Sequence, residues 1–141
     1  MKFLRFQFSL LLPLLLSGAS SAEDPAGLIE RVADDAKITR VKADCMAISS
    51  ALKTYKINAG HFPTEKQGLS ALVKKPTDEP RPDDWVQLMS QIPKDPWGRE
   101  YFIRYREKEK QRMLFLVSKG PDPEVAEDDI EHPVDPPKAK E

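Results

Sequence analysis

Apolar side chains recur along the chain at helical spacing through Ile38, Val41, Cys45, Ile48, Leu52 and Tyr55, with intervals of 3, 4, 3, 4 and 3 positions. That rhythm places all six on one face of a helix. Lys37, Arg40, Lys42, Asp44, Ser49, Lys53 and Lys56 mostly fill the other side, and Leu28, Ile29, Val32 and Ala36 extend the stripe upstream. The pattern predicts one long helix from about Pro25 to Asn58. Gly60 follows the last periodic position and is the residue type that closes a helix in the left-handed conformation. Thr64 and Gln67 stand at capping-box spacing, so a short second helix is expected over about Glu65–Lys74, with Leu69, Leu72 and Val73 inward and Pro76 as its stop. Thr77–Asp84, with Pro80, Pro82 and its acidic residues, reads as a solvated loop. Trp85, Val86, Leu88, Met89 and Ile92 are apolar enough to pack back on the core. Pro93-Lys94-Asp95-Pro96-Trp97-Gly98 is turn chemistry. Two β-rich runs, Tyr101–Tyr105 and Met113–Ser118, form a hairpin joined by the charged stretch Arg106–Arg112. No internal repeat is present.

The first 22 residues are set apart from this pattern. Lys2 and Arg5 precede an apolar run from Phe8 to Leu16, and small residues follow from Ser17 to Ala22. This is the layout of a secretory signal peptide cleaved after Ala22. An uncleaved anchor is the alternative, but a spanning helix needs roughly 20 apolar residues, about twice the run found here. The expected organisation is a signal peptide at 1–22, one globular domain at 23–134 and a flexible tail at 135–141. The mature protein is expected to be periplasmic or secreted.

Composition narrows the function. The chain has 141 residues, room for one domain. It carries 22 Lys and Arg against 23 Asp and Glu, a net charge of −1. Without a basic field, nucleic-acid binding is not expected. The single cysteine, Cys45, excludes an internal disulfide and any multi-thiolate zinc site. Its place in the apolar stripe fits a small buried hydrophobe; a reactive or bridging thiol is the other reading. His61 and His132 are the only histidines, and neither a G-x-S-x-G elbow nor a P-loop or G-x-G-x-x-G is present. Catalysis and a small-molecule substrate are therefore not expected. Trp85 and Trp97 fit loop anchors better than a ligand platform, and Phe62, Trp97 and Tyr101 are expected to form an aromatic cluster around the turns.

One segment carries candidate chemistry. Between Gly120 and Asp135 the chain holds Asp122, Glu124, Glu127, Asp128, Asp129, Glu131 and Asp135, with no Lys or Arg. Calcium takes oxygen ligands from carboxylates, carbonyls and water. A loop folding back between Asp122 and Asp128 would bring Asp122, Asp128 and Asp129 to one point, and Gly120-Pro121 suits the bend. No EF-hand pattern is present. A plainly solvated acidic segment is the competing reading.

Three stretches then carry a resemblance: KADCMAISSALKTYKINAGHFPTEKQGLSALVKKP, IPKDPWGREYF and SKGPDPEVAEDDI. In this order they resemble the major pseudopilin family of type II secretion, protein G, over about Asp34–Ile130. The resemblance implies an α+β, pilin-like fold: a long N-terminal helix packed on a small antiparallel sheet, closed by a C-terminal calcium-binding loop. It implies side-chain ligands at Asp122, Asp128 and Asp129, with backbone carbonyls falling at Lys119 and Glu124. Pro123 stands where the family often has Gly. The implied role is structural, in protein secretion across the outer membrane, with other pseudopilins or secretion-system components as partners and self-association possible. Before Asp34 the sequence departs from the family pattern of a basic leader ending in Gly, then Phe and a long hydrophobic helix bearing a Glu. The expectation is an export signal joined to a pseudopilin globular domain. A free periplasmic calcium-dependent binding module, outside any filament, is the alternative.

Overall fold

The computed structural model describes residues 24–108 and 110–136. The expected signal peptide at 1–22 and residues 137–141 of the expected tail lie outside the described residues.

Helix α1 spans Pro25–Ala59, 35 residues, a rise of about 52 Å. Asp24 opens it: its Oδ1 accepts the Ala26 N–H at 3.2 Å, and Pro25, with no N–H to leave unpaired, takes the first helical position. Gly60 closes it at φ 79°, its N–H donating to the Lys56 carbonyl at 2.9 Å. The apolar stripe is buried through Val41, Cys45, Ile48, Leu52 and Tyr55. Upstream it is not: Leu28, Ile29 and Val32 are 52%, 71% and 61% exposed. Only the C-terminal part of α1 therefore lies on the sheet, because burial follows contact with a second element rather than periodicity alone.

The expected second helix is shorter than its apolar pattern. Thr64 and Gln67 do form the capping box, with Thr64 N–H donating to Gln67 Oε1 at 3.0 Å and Gln67 N–H to Thr64 Oγ1 at 3.1 Å. Gly68 then adopts φ 59°, ψ −162°, and only a 3-10 turn, Leu69–Leu72, follows. That backbone conformation belongs to glycine and interrupts an α-helix. Leu69, Ala71 and Leu72 still reach the core. The long loop beyond returns to this turn: the Trp85 indole N–H donates to the Ala71 carbonyl at 2.8 Å, and the Leu88 and Met89 N–H groups both donate to the Leu72 carbonyl. Gln67 fastens the loop's middle, its amide donating to the Asp78 and Pro80 carbonyls.

The hairpin is longer than its apolar runs. Strand β1 is Phe102–Lys108 and β2 is Gln111–Ser118, paired antiparallel from Phe102↔Val117 to Lys108↔Gln111. The charged connection is thus largely strand, closed by a tight turn in which Lys110 has φ 63°. Its residues pair across the ladder, Glu107 opposite Arg112, so opposite charges take the place of apolar contacts at the solvated end. A third strand, β3 (Ile130–Pro133), ends the acidic segment and pairs antiparallel with β2, Val117 opposite Glu131 and Leu116 opposite His132. The sheet order is β1-β2-β3. Ile103, Leu114, Leu116 and Val134 join the buried stripe of α1 in one core.

Candidate functional site

The loop between β2 and β3 begins at a buried polar cluster. Asp95, 3% exposed, opens the turn of the Asp-Pro-Trp-Gly segment. Its Oδ1 accepts the Trp97 and Arg99 N–H groups at 3.0 and 2.8 Å. Its Oδ2 accepts the hydroxyl of Ser118, the last residue of β2, at 2.7 Å. The Ser118 Oγ in turn accepts the Gly120 N–H at 3.2 Å. A carboxylate removed from water needs such partners, and here they join the turn to the first residues of the loop. Arg99 adds a second tie, its guanidinium donating to the carbonyls of Gly120 and, at 3.2 Å, Pro121.

Between these anchors and β3 the chain folds back on itself. Gly120 sits at φ 62°, and a Cβ there would stand 2.2 Å from the Asp128 carbonyl oxygen. Glycine is required on both counts, backbone conformation and space. A 3-10 turn at Ala126–Asp128 brings the chain to β3.

The residues singled out in the sequence take distinct places in this loop. Lys119 lies at its start, its ammonium donating to the Pro123 carbonyl at 3.3 Å. Asp122 is exposed, its Oδ1 accepting the Glu124 N–H at 3.0 Å, an Asx turn. Glu124 is exposed, Asp128 half-buried. The Asp129 side chain is 8% exposed, its Oδ2 3.4 Å from Arg104 Nη2. Arg104 also holds Glu131 of β3 at 3.0 Å, as does Arg106 at 2.5 Å. The backbone path therefore brings Gly120 against Asp128, as a closed loop requires. The carboxylates are not gathered to one point: among the described residues no three His, Cys, Asp or Glu side chains converge as a metal site. As a donor set the segment suits a hard divalent ion: carboxylates at Asp122, Asp128 and Asp129, and carbonyls at Lys119 and Glu124.

Other reactive side chains have structural surroundings. His61 Nδ1 lies 2.9 Å from the Phe62 carbonyl, and its ring forms a T-shaped pair with Tyr55. Cys45 is buried, and its thiol is pushed up to about 11, first by burial and then by the charge of Asp44. Tyr101 is buried with its hydroxyl donating to Asp44 at 2.9 Å; burial, more than this bond, raises its phenol above the ordinary range. Asp95, Arg99, Arg104 and Ser118 were not singled out in the sequence. Only Asp95 carried a local signal, an Asp two residues before the amide its side chain accepts.

A long helix on a three-stranded antiparallel sheet, with a braced loop between its last two strands, defines a pilin-like α+β domain. The chain belongs to the protein G family of the type II secretion system, whose sequence model matches residues 28–135. It is 46% identical over 70 residues to the type II secretion system core protein G of Pseudomonas aeruginosa, covering 48% of this chain and 49% of that protein. To the protein of the same name in Escherichia coli strain K12 it is 36% identical over 91 residues, 62% of this chain and 61% of that one. The chain thus spans about half to three fifths of the length of these curated relatives. In three dimensions it is similar to the crystal structure of the major pseudopilin from the type 2 secretion system of enterohaemorrhagic Escherichia coli. That match has a TM-score of 0.62 at 30% identity, over 88% of this chain and 97% of that one.

Proposed function

We propose that the protein is a structural subunit of a type II secretion machine, a major-pseudopilin-like globule that assembles with other pseudopilins or secretion components and takes part in protein export across the outer membrane. The observation that carries this reading is the fold: the helix, sheet and returning loop match 97% of the chain seen in the crystal structure of a major pseudopilin. A role without catalysis is supported by the surroundings of His61, which lies on the Phe62 carbonyl and beside Tyr55, and of Cys45, which is buried in the core. The proposed location is the cell envelope, on the periplasmic side.

The reading includes calcium. Asp122, Asp128 and Asp129, with the Lys119 and Glu124 carbonyls, would hold it in the loop that Gly120 folds against Asp128. Bound there, the ion would supply positive charge that relieves repulsion among the loop carboxylates. Because it would favour the closed loop over the open chain, binding free energy becomes folding free energy.

Co-purification from native membranes in calcium tests the assembly. Pseudopilins or envelope secretion components recovered with the protein are the expected result. A protein that stays soluble in the periplasm and never sediments with them would instead fit a free calcium-dependent binding module. Calcium itself is tested by melting. Excess calcium should raise Tm over excess chelator, and equal melting points would remove calcium from the proposal.

A further inference from the structure

The acidic loop already has cations of its own. Arg104 projects from β1 across the sheet, its guanidinium 5.2 Å from the centre of the Phe102 ring and within ion-pair distance of both Asp129 and Glu131. Of the three carboxylates proposed as ligands, Asp122 is exposed, whereas the side chain of Asp129 is nearly out of solvent, and it is the one that Arg104 holds. At the other end of the loop Arg99 donates to the Gly120 and Pro121 carbonyls. Each end of the segment thus meets a guanidinium close to where oxygens would have to turn toward a metal. A guanidinium keeps its charge at any working pH and cannot step aside by losing a proton.

Resting on the calcium reading above, we infer that Arg104 is an internal competitor for the divalent ion at Asp129. Without metal, Arg104 neutralises that carboxylate and holds the end of the loop against β3. A divalent ion reaching Asp129 must displace the guanidinium or bind beside a like charge, and either lowers its affinity. The loop thereby keeps part of its order without calcium and binds calcium more weakly than its carboxylates alone would. A purely structural Arg104 gives the opposite sign: removing it would loosen the loop and weaken calcium binding.

The test is a calcium titration by calorimetry on wild type, Arg104→Gln and Arg106→Gln, each also melted in excess chelator. Arg106 carries the same charge and touches Glu131, but it is not paired with Asp129, so it controls for net charge. Arg104→Gln is expected to bind calcium about tenfold more tightly, the scale on which a charge within a few ångströms shifts ionic equilibria. It should also melt lower than wild type in chelator, with a wider gap between its two melting points. Arg106→Gln should stay within about twofold of wild-type affinity on the same argument, its charge being farther from Asp129. Arg104→Lys, which keeps the charge but loses the fork, should fall between wild type and Arg104→Gln and serves if the glutamine variant does not fold. Calcium binding by wild type with equal or weaker binding by Arg104→Gln overturns the competition and leaves the calcium reading standing. No binding by either protein overturns both.

Discussion

Asp95 concentrates more of the structure than any other side chain of the site. One buried carboxylate accepts two backbone N–H groups of its own turn and the hydroxyl of a residue in β2. Asp95→Ala strands all three donors, and chemical denaturation should show a loss of about 3–5 kcal/mol, as for other buried charged networks broken on one side. Asp95→Asn keeps the Oδ1 acceptor and should lose roughly half as much. Cys45 gives a second prediction, in alkali. The folded state holds the thiol neutral up to about 11, whereas the unfolded thiol ionises from its ordinary 9.0. Its contribution is intact below pH 9 and is lost as pH rises from 9 to 11, a decline of about 3 kcal/mol for a two-unit difference. Cys45→Ala should flatten that part of the stability profile, and at pH 7 the folded thiol should resist alkylating reagents. Such a role for Cys45 was legible in the sequence, since its position in the stripe is a local property. That Asp95 would meet Ser118 was not, because 23 residues separate them and no spacing rule spans a sheet.

Among the elements, legibility followed the same division. The long helix was readable from periodicity and from Gly60. The length of the hairpin was not, because Arg106, Glu107, Arg112 and their neighbours are charged, and strand pairing there depends on who stands opposite. Strand β3 was hidden for the same reason: Glu131 and His132 look like part of a solvated acidic tail until Val117 and Leu116 lie across from them. The acidic loop joins β2 to β3, and among the described residues its carboxylates do not converge side by side. The element that joins these strands depends on one glycine. Gly120→Ala imposes a side chain at positive φ and against the Asp128 carbonyl oxygen. The expected cost is about 2–4 kcal/mol in unfolding, from backbone strain and steric clash together. Proteolysis should begin within residues 120–130 of this variant, since β3 is aligned by the loop that precedes it.

At the scale of the whole molecule, the helix divides into two regimes. Residues Val41–Ala59 share the core with the sheet, whereas side chains from Asp24 to Ala36 are exposed apart from the half-buried Gly27. A helical stretch of that length is marginal on local interactions alone. In hydrogen exchange, amides of Leu28–Ala36 should therefore exchange orders of magnitude faster than those of Ile48–Tyr55, the latter only by global unfolding. Comparable protection along the entire helix would show that something covers its first turns. The two ends of the described chain also lie far apart. Asp135 closes onto Lys56 at 3.1 Å, beside the last turns of α1, while Asp24 begins that same helix about 48 Å away by its rise per residue. The chain at Asp135 thus lies at the opposite pole from the helix start. A short chemical crosslink between positions near Asp24 and near Asp135 cannot form within one chain, so a linked pair of that kind is evidence of two molecules meeting head to tail.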